Sequence, residues 1–184
     1  MTDKSIIKEF TTEFELRDSN GNIKQLWQEN RFGKLLRRTV GECRFFATGS
    51  FQDKMVNHNL ITAVGHARCS GLLTNQGSYT AFTVVAIGTG ATAAATGDTA
   101  LMTEITAGGG ARVAATMTQT TTTYTNDTAK FVAVWTASSA LAPVEAGIFD
   151  STTVAGSHLL AHQVFSVVNM SIGDSLTITW TVQS

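Results

Sequence analysis

The chain has 184 residues, enough for one domain with a sizeable core. Hydrophobic residues make up 43% and charged residues 15%, and the net charge of -1 excludes a global pull toward nucleic acid or an anionic membrane. Residues 1–68 hold 11 of the 13 Lys/Arg and 8 of the 14 Asp/Glu and sum to +3, whereas residues 69–184 sum to -4 with only two basic residues. So little charge over the longer part implies a surface that a partner covers.

The opening "MTDKSIIKEF" has no apolar signal core, and no apolar run reaches the roughly 20 residues of a membrane helix. "FTTEFELRD" alternates: Phe10, Thr12, Phe14 and Leu16 share one side, and Thr11, Glu13, Glu15 and Arg17 the other, which predicts a half-buried strand. Asn20-Gly21 supplies a hairpin turn and "IKQLWQEN" the returning strand. Residues 31–55 hold a basic cluster of Arg31, Lys34, Arg37, Arg38 and Arg44. It reads as a solvated face or protein contact rather than a nucleic-acid patch, because no nucleic-acid motif surrounds it. Residues 1–55 are thus expected to form a hairpin and basic arm, and 56–184 a second unit.

"DKMVNHNLITAVGHARCSGLL" shows helical spacing, with Val56, Leu60, Val64 and Ala67 on one face, Ile61 and Leu72 widening it, and Gly71 with "TNQGS" at its end. From Ala81 the chain reads as all-β: "AFTVVAIG", "ARVAATMTQT", "KFVAVWTAS", "VEAGIF", "HLLAHQVF" and "SLTITWTV" are strands divided by turn chemistry. In the last, Leu176, Ile178, Trp180 and Val182 alternate with Ser and Thr. Short strands with Thr-rich outer faces at this spacing predict a mainly β fold, sandwich or jelly-roll-like, with one helix.

Candidate chemistry fails on its own requirements. Gly88 and Gly90 begin a dinucleotide fingerprint, but position 93 is alanine and no amphipathic helix follows. A phosphate-binding GK[ST] is missing, so Gly88, Gly90 and Gly97 are read as a tight strand exit and a close-packed crossing, with Asp98 and Thr99 capping a helical turn through Leu101 and Glu104. His58, His66 and Cys69, or His158 and His162, lack the tight pairs of a structural zinc site. Cys43 and Cys69 form no CxxC and read as free thiols. Glu145 and Asp150 form a carboxylate pair on paper, more simply a strand-edge charge and a turn residue. Trp135 and Trp180 alternate as core residues, against a carbohydrate-binding face. No catalytic residue, cofactor or metal is assigned, and the expectation is a non-enzymatic protein.

"FTVVAIGTGATAAATGDTALMTEI", the arginine-led "ARVAAT", "VEAGIFDSTTVAGSHLLAHQVFS" and "GDSLTITWTV" together resemble small structural proteins of tailed bacteriophages. A related E-x-G-[IL]-F strand occurs in the attachment regions of phage tail-collar fibres. The resemblance covers about residues 56–184. It implies a virion component, a β-sandwich that works as a homo-oligomer, often a trimer, assembled in the host bacterial cytoplasm. Within that class, the short length favours a capsid decoration (cement) protein bound to the major capsid protein over a tail, neck or fibre-attachment protein. Phe14, Trp27, Phe32, Arg37 and Arg38 are the expected partner-facing set, since aromatics and arginine dominate hot spots, although Phe14 also fits the local core.

Overall fold

The cleanest alternating stretch becomes the centre of a sheet. In a computed structural model describing residues 9–29, 49–77 and 79–183, strand β13 (Ser175–Gln183) lies between β1 (Glu9–Arg17) and β10 (Thr128–Thr136). Both neighbours run antiparallel to it over nine-residue registers. β2 (Ile23–Lys24) and β5 (Met55–His58) share the far edge of β1, and β9 (Thr116–Thr120) pairs with β10 at the other end. A second antiparallel sheet runs in the order β6 (Leu60–Ile61), β12 (Leu159–Val164), β11 (Glu145–Phe149), β7 (Val84–Gly88), β8 (Val113–Ala114). β3 (Leu26–Glu29) and β4 (Gly49–Gln52) form a separate two-stranded ribbon.

The inner faces of the two large sheets share one core. Phe14, Trp135, Ile178 and Trp180 from the first sheet join Val85, Ile87, Ile148 and Ala161 from the second. Phe14 meets Phe165 with ring centroids 4.2 Å apart. Each fully buried aromatic of this set contributes about 1.5–3 kcal/mol of transfer free energy. The Trp135 indole, 1% exposed, donates to the Ala111 carbonyl at 2.8 Å, so its burial leaves no polar orphan. A smaller cluster of Val84, Ala86, Leu101, Phe149 and Leu159 covers the other face of the second sheet. That sheet is therefore buried on both sides, and β7, β11 and β12 are buried at every residue. The fold is mainly β, as the strand pattern predicts.

Two boundaries differ from the sequence reading. The N-terminal strand is not a free arm: β1 is an inner strand of the first sheet, and β5 runs across position 55/56, where two units were expected to meet. The helix α1 is shorter than its apolar spacing predicts and spans Ala63–Thr74. Thr62, extended at φ -77 and ψ 160, caps it by accepting from the Gly65 N–H. Before that cap, residues 55–58 alternate buried and exposed with period two, the strand signature. The buried residues of α1 are Gly65, Arg68 and Gly71, while Leu72 is 41% and Leu73 72% exposed. The reason is close approach: a Cβ on Gly65 would fall 2.9 Å from the Leu160 backbone Cα and C atoms, and nearer still to its carbonyl oxygen. Small residues, not the predicted Val–Leu stripe, seat this helix on β12.

Candidate functional site

Two features stand out: an outer face with little charge and a buried network of carboxylates with a histidine. The outer face follows from the period of two. Where Phe131, Ala133 and Trp135 of β10 point inward, Lys130, Val132, Val134 and Thr136 point outward. They lie beside Thr181, Thr179, Thr177 and Ser175 of β13 and, on β9, beside Thr118 and Thr116. Lys130 is the charged residue of this part of the face; Glu13, Glu15 and Arg17 are confined to β1, where Lys54 sits 2.8 Å from Glu13. Val134 is 48% exposed. All five residues of β9 are exposed, Met117 at 49%, and the strand holds no charge or proline. Thr gives β-propensity without charge, and such an edge lacks the charges and proline that commonly guard against pairing with another chain.

The network lies on the opposite side of the molecule's core, over the outer face of the second sheet. His162 on β12 and Glu145 on β11 both have fully buried side chains, and the His162 Nε2 lies 3.0 Å from Glu145 Oε2. Its Nδ1 lies 2.7 Å from Asp98 Oδ2, whose carboxylate is 18% exposed. Glu145 also accepts three backbone N–H bonds, from Gly90 at 2.9 Å, Met102 at 3.0 Å and Thr103 at 2.8 Å. Burial pushes the Glu145 carboxyl up, but the His162 bond and the three N–H groups outweigh it, and its pKa is lowered. Burial pulls His162 down, yet the Glu145 and Asp98 carboxylates win and its pKa is raised above 6.5.

The glycine-rich stretch now has its explanation. A Cβ on Gly90 would come 2.6 Å from Glu145 Oε1, and one on Gly88 would collide with the same oxygen and with the Thr103 carbonyl at 2.6 Å. The glycines make room for a carboxylate of this chain, not for a phosphate. Gly97, with nothing within 4 Å, has no such constraint. The expected helical turn after Asp98 does not form: Asp98 caps a turn by accepting from Ala95 N at 2.8 Å and turns its other contact to His162. Glu145 is likewise not a strand-edge charge but 0% exposed.

Two further pairs hold the neighbouring loops. Asp150 binds Arg68 at 2.6 Å and His158 at 2.9 Å; burial raises its pKa, but the His158 bonds and Arg68 lower it further. Arg112 forks onto both oxygens of Glu104 at 2.7 and 2.9 Å, donates to Ser151 and Ser157, and stacks over Phe149 at 4.0 Å. Glu145 and Asp150 thus have separate partners. Among the described residues no group of three or more His, Cys, Asp and Glu could hold a metal, and no helix is long and apolar enough to cross a membrane.

Of the expected partner-facing residues, Phe14 is 0% and Trp27 5% exposed, so both are interior in this chain. Trp27 packs edge-on against Phe51 at 5.1 Å, and Phe51, 53% exposed, is the ring that the ribbon presents outward. Phe32, Arg37, Arg38 and the rest of the basic cluster lie outside the described residues, as does Cys43. Cys69 is a half-buried free thiol with its pKa raised by burial. The His162 network escaped sequence reasoning, although one signal was present. "VEAGIF" and "LLAHQV" each place an ionisable residue in an otherwise apolar strand, which in a doubly buried sheet demands a partner. Comparison with protein-family models, curated proteins and solved structures finds no match to this chain.

Proposed function

We propose that this chain is a non-enzymatic structural protein of a tailed-bacteriophage virion, a decoration protein that binds the major capsid protein lattice as a homo-oligomer, with three-fold assembly the favoured form. The observation that carries the reading is the hydroxyl- and valine-lined outer face of β9, β10 and β13, which continues into the uncharged, unguarded edge of β9. A packed neighbour covers such a face while desolvating few charges. The ionisable groups support the same reading from the other side. His162, Glu145, Asp150, Arg68, Arg112 and Glu104 are used in holding loops to the second sheet. The segments that resemble phage structural proteins, "IGTG", "EAGIF" and "LLAHQVF", meet at that network, so the resemblance runs through one structural unit.

The mechanism is contact area. Each bound copy ties neighbouring shell subunits together and stabilises the particle by mass action, with no bond made or broken. Adding the purified protein to particles that lack it tests this. The expected result is saturable binding at a simple ratio to the shell protein and rupture at a higher temperature or pressure. Failure to bind shells overturns the decoration role, and binding confined to tail or neck moves the protein there. Replacing Arg37 and Arg38 together by alanine is expected to weaken shell binding; full occupancy removes those two from the contact.

A further inference from the structure

The excursion between β7 and β8 is anchored at two levels. At its base, Gly90, Met102 and Thr103 donate to Glu145. At its tip, Asp98 binds His162 Nδ1, and the Thr96 carbonyl accepts from Ala63 N at 2.7 Å, the start of α1. We infer that His162 is a proton-operated latch for this tip, residues 91–98: the doubly protonated ring holds it down, and loss of one proton releases it from the sheet and from α1.

Both ring nitrogens face carboxylate oxygens, at 2.7 and 3.0 Å, and only the imidazolium has two N–H groups to offer. A neutral ring must turn one bare lone pair toward a carboxylate. Facing Glu145, that lone pair would sit in a fully buried site with nowhere for the carboxylate to go. Facing Asp98, the conflict is relieved by moving a partly exposed side chain on a surface turn into water. The outer contact therefore yields. Among the described residues no other charge compensates. β7 and β6 carry no ionisable side chain. On α1, Arg68 is paired with Asp150, while His66 is exposed and Cys69 neutral and half-buried. In the same excursion, Glu104 is held by Arg112. His158 on the approach to β12 is bound to Asp150. The latch adds pH control to the fold and does not rest on the assembly role.

The sign follows from the raised pKa. The stabilisation is complete below the unfolded value near 6.5 and is lost as pH rises through the higher folded value. The test is NMR of the full chain across pH 5–9, combined with amide hydrogen exchange. His162, identified by the signal missing in H162Q, is expected to carry both ring protons at pH 6 and to titrate above pH 6.5. The amides of residues 91–98 are expected to shift with the same midpoint. The exchange of Ala63 N–H, which donates across to the Thr96 carbonyl of the tip, should rise about tenfold beyond intrinsic base catalysis once the proton is lost. In D98A, which leaves the Glu145 anchor intact and removes the group that meets Nδ1, Ala63 N–H exchange should be fast at every pH and the His162 midpoint should fall. If H162Q does not fold, D98A alone decides. Tip amides indifferent to the His162 titration, or Ala63 N–H exchange in D98A equal to that of the parent protein, would overturn the latch.

Discussion

Replacing Glu145 by glutamine exchanges one carboxylate oxygen for an NH₂ group and addresses the buried network directly. The carboxylate accepts four bonds: Gly90 and Thr103 N–H at Oε1, Met102 N–H and His162 at Oε2. A glutamine oxygen keeps the first pair, but its NH₂ then faces the Met102 N–H and His162. The ring can adapt by giving up its proton and accepting from the amide; the Met102 N–H cannot. One charge-assisted bond contributes about 1.5–3 kcal/mol, and a stranded buried donor costs about 1–3 kcal/mol. The His162 adaptation recovers part of that, so the expected destabilisation is about 3 kcal/mol at pH 7. Urea unfolding followed by tryptophan fluorescence reads it through Trp135 and Trp180, both in the core. The loss should shrink above the folded pKa of His162, because the parent protein has by then lost the charged pair as well. A destabilisation below about 1 kcal/mol, far under the bond energies at stake, would refute the network as an anchor.

Other outcomes are expected from the same structure. Gly65→Ala places a Cβ inside contact distance of the Leu160 backbone and should cost about 1–3 kcal/mol by lifting α1 from β12, measured by urea midpoint. Arg112→Lys loses the fork onto Glu104 and the stack on Phe149; about 2 kcal/mol of destabilisation should accompany faster amide exchange in residues 150–158. Val134→Lys, at a position 48% exposed, should leave the unfolding midpoint within about 0.5 kcal/mol yet reduce oligomer formation in sedimentation velocity. Glu145 and Asp150 both have lowered pKa values. Their contribution is present above the unfolded carboxylate range and is lost as pH falls through the folded values, so stability should drop on acidification below about pH 4.

Much of the fold is legible because it rests on the shortest-range rule, period two. Leu176, Ile178 and Trp180, and on β1 Phe14 and Leu16, are inward by alternation and buried in the structure. The helix start is not legible in the same way. Leu60 and Ile61 fit either period, and the choice between them is made by pairing of β6 with β12, a contact a hundred residues away in the chain. Nor could its buried face be read: Gly65 and Gly71 are selected by how near the helix comes to Leu160 and Tyr79, a distance no local pattern encodes. The candidate sites divide along the same line. The charge-poor Thr face is visible as composition, whereas the His162 site joins residues 98, 145 and 162 that only the folded topology brings together. Trp27 shows the converse: residue type alone suggested a surface anchor, but its ring is 5% exposed beside Phe51, its cross-strand partner on the same face, which is 53% exposed.

The central claim is membership of a virion, and the most direct measurement is the copy number of this chain relative to the major shell protein in purified particles, by quantitative mass spectrometry. The account predicts a ratio near unity or a simple fraction of it, the stoichiometry of a lattice decoration. A few to a few dozen copies would contradict the decoration role and assign the chain to the tail, neck or fibres, and absence from particles would contradict the virion claim itself.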